Sequence, residues 1–99
     1  MPVLQVFASD LDDVQGSLES LCREVADALD LEPSDVVATY VRVESCVVPG
    51  DPDARWPVVI MHGSKRASDR MSEARERVAA MVGAWTGVSG VWVTWQVSE

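Results

Sequence analysis

The chain has 99 residues, of which 47% are hydrophobic, and a net charge of −8, so it is long enough for one domain with its own core. The acidic balance argues against nucleic-acid binding, which needs a positive surface, and the lack of an apolar run of about 18 residues excludes a membrane-spanning helix. No signal peptide is visible and Cys22 and Cys46 lack metal-ligand spacing, so we expect a cytoplasmic protein without a metal or another cofactor.

The first half of the chain reads as strand, helix, strand. Pro2 is followed directly by a strand-like run from Val3 to Phe7. A helix is predicted next, with Asp10 or Asp12 as its cap, acidic residues in its first turn and its end near Leu31. Its apolar side chains recur at the 3.6-residue spacing of one helix face: Val14, Leu18, Leu21, Cys22, Val25 and Leu29. The β-branched run from Val36 to Val43 predicts a second strand.

The second half repeats this order after a connector of residues 45–56, whose composition is typical of turns. A third strand is predicted after Pro57. The next helix has Ser68 as its expected N-cap, and its apolar face consists of Met71, Ala74, Val78, Met81, Val82 and Trp85. Gly87 and Gly90 end that helix before a fourth strand, Val91 to Trp95.

The two halves match at an offset of 55 residues, which pairs Pro2-Val3 with Pro57-Val58, Ser9 with Ser64, and Thr39-Tyr40 with Thr94-Trp95. We interpret this as a tandem β-α-β duplication within a single domain, residues 1–99, with pseudo-repeats 2–44 and 57–97. Right-handed crossovers place both helices on one face of a four-stranded mixed sheet, which is an α+β fold. Both faces of the first and third strands are apolar, so we expect the chain to associate with copies of itself.

Pro2 carries the most specific chemistry. Initiator methionine is usually removed before a small residue such as proline, which would leave Pro2 with a free secondary amine. Such an amine titrates near neutral pH and can act as a general base or acid. The alternative is that proline is simply tolerated at the first position of a strand.

The N-terminal Met-Pro-strand, the duplicated β-α-β pattern and the length together resemble the tautomerase superfamily. The likeness is to its longer members, such as macrophage migration inhibitory factor and carboxymethyl-hydroxymuconate isomerase. The resemblance implies a homotrimer with sheets lining a central barrel, active sites near subunit interfaces, and Pro2 as the catalytic group. The chain departs from the family where 4-oxalocrotonate tautomerase binds a dicarboxylate, because Asp10 and Val37 stand near the positions of its arginines.

Cations of the second half are the candidate substrate ligands. If the third strand runs antiparallel to the first, its C-terminal end lies near Pro2 and brings Ser64, Lys65 and Arg66 toward it. Either cation could bind a carboxylate and lower the pKa of the proline amine; Arg70 is a further candidate. Each of them could equally be an ordinary solvated charge at a helix start.

Other side chains have both a functional and a packing interpretation. The resemblance aligns Trp92 and Thr94 with pocket positions of the migration factor, where Trp92 would supply a wall and an N–H donor. His62 could relay protons, although packing or exposure is commoner for a histidine at a strand end. We expect Tyr40 and Trp95 to be core or trimer contacts, and Arg42 to pair with an acid at a subunit interface.

The expected activity is a tautomerase or isomerase that moves a proton on a small carbonyl or enol acid, with Pro2 as the base. Two alternatives stay open. One is decarboxylation, dehalogenation or hydration of a small acid with protonated Pro2. The other is a non-catalytic trimeric scaffold, which would follow if Met1 were retained.

Overall fold

A computed structural model describes residues 1–44, 49–50 and 57–97 of the chain. Four strands and two long helices follow one another in this order, with a 3₁₀ turn at Pro33–Asp35: β1 Val3–Ala8, α1 Val14–Leu29, β2 Val37–Arg42, β3 Val58–Gly63, α2 Ser68–Thr86 and β4 Trp92–Val97. The connector predicted at residues 45–56 lies outside the described residues apart from the turn at Pro49 and Gly50.

The strands form one mixed sheet in the order β2-β1-β3-β4. The central pair, β1 and β3, is antiparallel, and each of them has its own parallel neighbour outside. The 55-residue offset is kept by the strands, since Val58 starts β3 where Val3 starts β1, and Trp92 starts β4 where Val37 starts β2. The predicted duplicated β-α-β fold with a four-stranded mixed sheet is confirmed.

Both helices pack on the same face of the sheet, as predicted. Alternate strand residues point at them and are fully buried, among them Leu4 and Val6 of β1 and Val59 and Met61 of β3. The helices contribute their own buried stripes to this core: Leu21, Val25, Ala26, Ala28, Leu29, Ala74, Val78 and Val82. Burying one such aliphatic side chain stabilises the fold by about 1.5–3 kcal/mol, so this layer holds the domain together.

The start of α1 differs from the prediction. The residue before the helix is Asp13, in the left-handed region at φ 51°, and its side chain makes no capping hydrogen bond. Neither Asp10 nor Asp12 caps the helix, and no acid lies in its first turn. The reason is tertiary: the Asp10 carboxylate pairs with Arg42 at 2.9 Å, and the Asp12 carbonyl accepts a hydrogen bond from the Trp85 indole at 2.8 Å.

Other element ends shift by one or two residues. The first helix stops at Leu29, before Asp30 at φ 58°, and Ser68 is the first residue of α2 while Ala67 occupies the N-cap position. Arg42 was expected at a subunit interface, but its acidic partner, Asp10, belongs to the same chain. Cys22 packs half-buried against the core, where burial raises the pKa of its thiol.

The sheet face away from the helices is open. It carries four residues in a row across the strands at the end where β1 finishes: Val41, Phe7, Val58 and Trp92. We call this the open-face row. Three of its members are substantially exposed, Trp92 to 63%. In the part of the chain that the structure describes, neither helix is long and apolar enough to cross a membrane.

Candidate functional site

Pro2 lies at the edge of the sheet where β1 begins and β3 ends. Its ring is fully buried, whereas Met1 before it is 73% exposed. The carbonyl of Pro2 accepts a hydrogen bond from the Val37 N–H at 3.0 Å, which ties it to the start of β2. Because Val3 pairs with His62 in the antiparallel ladder, Pro2 comes to lie beside Gly63. The predicted approach of the third strand's end to Pro2 is therefore confirmed.

Gly63 lies in close contact with Pro2 and Trp95. A Cβ atom placed on Gly63 would lie 3.6 Å from the Cα of Pro2 and only 3.1 Å from Cζ2 of the Trp95 ring. Trp95 is 9% exposed and belongs to the core, as predicted. Its indole nitrogen Nε1 is buried and has no hydrogen-bond partner among the described residues. Sequence reasoning missed this free donor, since it depends on what surrounds the ring.

The predicted cations follow Gly63 directly. Lys65 and Arg66 are two and three residues after it, so their Cα atoms lie at most about 8 and 11 Å from that of Gly63. Ser64 and Lys65 are exposed, whereas Arg66 is half-buried. The Arg66 backbone N–H donates to the Met71 sulfur at 3.4 Å. Its guanidinium Nε is buried without a partner in the described part of the chain.

Two more arginines lie farther along α2. Arg70 is exposed in the first turn of the helix. Arg75 is half-buried, donates from Nη2 to the Ser72 hydroxyl at 3.3 Å, and also has a buried Nε with no partner within the described residues. Arg75 was not among the predicted site residues, because its place in the helical pattern did not distinguish it from a solvated charge.

His62 faces the open side of the sheet, opposite to Gly63 and Trp95, because side chains alternate along a strand. Its Nε2 is 2.8 Å from the Gln5 Oε1, which accepts a hydrogen bond from it. This contact agrees with the packing interpretation of His62 rather than with a relay to Pro2.

Trp92 and Thr94 are not brought together with Pro2 inside one chain. Trp92 pairs with Val58 and Thr94 with Ile60, while Gly63 lies at the other end of β3. Val58 and Gly63 are five positions apart along β3, or about 16 Å. Both side chains also belong to the open face, whereas Gly63 and Trp95 face the helices. Within residues 1–44, 49–50 and 57–97, no group of acidic, histidine or cysteine side chains is arranged to hold a metal ion.

No family model matches the sequence, and no curated protein does. Solved structures do match. A fused 4-OT symmetric trimer superposes with a TM-score of 0.85 at 17% identity, covering 97% of this chain and 85% of that one. MIF2 of Leishmania major gives 0.84 at 18%, covering 99% and 89%. N1, a member of the cis-3-chloroacrylic acid dehalogenase family, gives 0.78 at 14%, covering 97% and 74%.

The chain has the fold of the tautomerase superfamily. In this tautomerase fold, the start of the first strand and the end of the third lie side by side, so the chain places Pro2 next to the segment that carries Arg66. While Met1 is attached, the Pro2 nitrogen is an amide without a basic lone pair. With Met1 removed, the same nitrogen is a secondary amine, on a residue whose Cα lies beside Gly63.

Proposed function

We propose that this chain, once Met1 is removed, is a cofactor-independent tautomerase that uses the Pro2 amine as general base. The observation that carries the proposal is the junction of Pro2, Gly63 and Trp95, which Arg66 follows within three residues. A base, a buried neutral donor and a half-buried cation then lie at one edge of the sheet. That set of groups suits proton transfer on a small carbonyl or enol acid.

In the proposed reaction, the Pro2 nitrogen takes a proton from the carbon next to the substrate carbonyl. The electrons of that C–H bond form a carbon–carbon double bond, and the carbonyl π electrons move to the oxygen as an enolate. The proton on Pro2 then returns to the oxygen or to another carbon, so the base is regenerated. A well-placed base accelerates such steps by about 10²–10⁴-fold.

The substrate carboxylate is assigned to Lys65 and Arg66. Arg66 is the stronger candidate because its half-buried guanidinium has a free Nε in the described part of the chain and can form a planar, two-point contact. Ser64 and Arg70 are exposed beside it and lie near enough in sequence to contribute.

We also propose that the chain works as a homotrimer. The open face of the sheet is mixed, with polar Gln5 and His62 at one end and the apolar open-face row at the other. Such a row on an uncovered sheet favours association. The similar fused 4-OT structure is a symmetric trimer. Association through this face would bring Trp92 and Thr94 against a neighbouring subunit, where they could contribute to its site.

We prefer tautomerisation to dehalogenation or hydration. The latter two are considered because a member of the cis-3-chloroacrylic acid dehalogenase family has a similar structure. Those reactions need a second group that activates water. Asp35 ends the 3₁₀ turn before β2, so in the sheet register it is the acid of this turn nearest to Pro2. Its carboxylate, however, accepts the Glu32 N–H at 3.2 Å in a capping box. No carboxylate in the described residues is buried.

The test begins with the intact mass of the purified protein, because only loss of Met1 leaves a basic nitrogen on Pro2. The trimmed protein is then assayed for tautomerisation of phenylpyruvate. We expect Pro2→Ala to lower kcat/KM by about 10²-fold or more. Pro57→Ala is the matched control, since Pro57 is buried at the equivalent position of the second repeat but has no free amine.

A second control inserts one alanine between Met1 and Pro2, which keeps the proline ring but turns its nitrogen into an amide. This form should be as inactive as Pro2→Ala. Equal losses in Pro2→Ala and Pro57→Ala would mean that the effect is structural. Retention of Met1 in the natural protein would favour the non-catalytic scaffold.

A further inference from the structure

The indole N–H of Trp95 is a buried donor without an acceptor. Of the three tryptophans that the structure describes, Trp85 donates to the Asp12 carbonyl at 2.8 Å and Trp92 is 63% exposed to solvent. Only Trp95 combines burial with an unpartnered Nε1 among the described residues. A buried donor without a hydrogen bond is energetically unfavourable. The Trp95 N–H would therefore be stabilised by an acceptor that a bound ligand supplies.

The first repeat shows the satisfied counterpart. Tyr40 occupies in β2 the position that Trp95 occupies in β4, 55 residues later. The Tyr40 hydroxyl donates to the carbonyl of Ser9, just beyond the end of β1. The Trp95 ring lies at the equivalent position at the end of β3, beside Gly63. There its Nε1 makes no hydrogen bond to a carbonyl among the described residues. The two repeats therefore differ at this polar contact, and the difference falls beside Gly63 and Pro2.

The edge of the indole that includes Cζ2 and Cε2 faces Gly63, at 3.1 and 3.7 Å from the place of a missing side chain. Nε1 is bonded to Cε2 and so continues the same edge. The Cα of Pro2 lies 3.6 Å from that place. The Pro2 backbone and the indole ring thus meet at position 63, where only a glycine leaves room for both.

We propose that Trp95 Nε1–H binds the reacting oxygen of the substrate, a 2-oxo acid or its enol, while Pro2 moves the proton on the neighbouring carbon. This assignment rests on the proposed tautomerase function. A neutral indole cannot give up its proton to the substrate, so it stabilises the enolate oxygen by hydrogen bonding alone. The substrate carboxylate is held separately by Arg66, which leaves the keto oxygen for Trp95.

The binding test uses ¹⁵N-tryptophan-labelled protein, with phenylpyruvate as the probe. The spectrum of Trp95→Phe identifies the Trp95 indole signal by its absence. We expect the Trp95 indole proton to move downfield and saturate as phenylpyruvate is added, while the Trp85 signal stays in place because its acceptor is internal. A Trp95 signal unchanged at ligand saturation, with other signals shifted, would overturn the assignment.

The kinetic test compares Trp95→Phe, which keeps an aromatic ring and removes only the donor, with Trp85→Phe as the matched control, which removes an indole donor whose acceptor is the Asp12 carbonyl. Loss of one such donor should lower kcat by about 10²-fold or more, with KM changing much less. Trp85→Phe should change kcat by less than about two-fold, because Trp85 has no part in the proposed site. Equal kcat in Trp95→Phe and the unmodified protein would overturn the proposal.

The two proposals fail in different ways. If Pro2→Ala leaves the rate unchanged, the proposed function is wrong, yet the indole titration still reports whether Trp95 binds the keto oxygen. If Pro2→Ala abolishes activity and the indole signal does not respond to phenylpyruvate, the tautomerase proposal survives and the role of Trp95 is rejected. If Trp95→Phe fails to fold, as circular dichroism would show, the spectra of Trp56→Phe, Trp85→Phe and Trp92→Phe identify the other three indole signals. The remaining signal is that of Trp95, and its response to phenylpyruvate decides.

Discussion

The Cα of Pro2 lies 3.6 Å from the point where a side chain on Gly63 would begin. The antiparallel pairing of Val3 with His62 creates this closeness, because the next residue outward on each strand is then Pro2 on one side and Gly63 on the other. Trp95 fills the remaining side at 3.1 Å. Glycine at position 63 is therefore a steric requirement of the proposed site.

Gly63→Ala should disturb both the fold and the site. The added methyl would lie 3.1 Å from the Trp95 ring, which is tighter than most such contacts, so the ring or the strand must give by a few tenths of an ångström. Overpacking of this kind costs about 1–3 kcal/mol of unfolding free energy, measurable by urea denaturation. The phenylpyruvate kcat/KM should fall at temperatures where the variant is still folded. Unchanged stability would show that the space beside Gly63 is larger than the structure indicates.

Removing the candidate cations should separate binding from chemistry. If Arg66 anchors the substrate carboxylate equally in the ground and transition states, Arg66→Ala raises KM and leaves kcat nearly unchanged. Lys65→Ala should have a smaller effect, because Lys65 is exposed. Arg23→Ala, an exposed cation on α1 paired with Glu19, is the control and should leave both constants unchanged. Normal kcat/KM in both variants at positions 65 and 66 would remove the cations from the mechanism.

The open-face row should govern assembly. Analytical ultracentrifugation at micromolar concentration is expected to give the mass of three chains. Trp92→Glu should shift that mass toward the monomer, since it places a charge on the face proposed to be covered. Ala80→Glu, at an exposed position of α2, is the matched control and should leave the trimer intact. A monomeric unmodified protein would contradict the proposed trimer, and a dimer would contradict its architecture.

Arg77 should stabilise the helix pair in a salt-dependent way. Its guanidinium lies 2.7 Å from Asp27 of α1 and 2.7 Å from Glu73 of α2, with Glu24 at 3.5 Å. These partners raise its pKa, so it stays charged at all ordinary pH values. Arg77→Ala should lower the Tm in low salt, and the difference from the unmodified protein should shrink in high salt. The Tm of Arg23→Ala, which loses a single exposed pair, should change less.

The predicted N-terminal cap of α1 was wrong because residues far away in sequence bind the residues expected to form it. Asp10 and Asp12 have the right composition for a helix cap, but Arg42 and Trp85 contact them in the folded chain. These partners are far away in sequence, so no local pattern contains them. Likewise, Trp92 and Trp95 look alike as strand tryptophans, and only the sheet shows that one lies on the open face and the other beside Pro2.

The sequence by itself determined the order of elements, the 55-residue offset between the repeats and the place of Pro2 at the start of a strand. Those features are local: apolar spacing defines helices and β-branched runs define strands wherever their partners lie. Only the tertiary structure decided that Gly63 and Trp95 surround Pro2 and that the Trp95 N–H is left without an acceptor in the described part of the chain. The reason is that strand pairing and register depend on contacts between residues 34 to 59 positions apart, which no periodicity along the chain records.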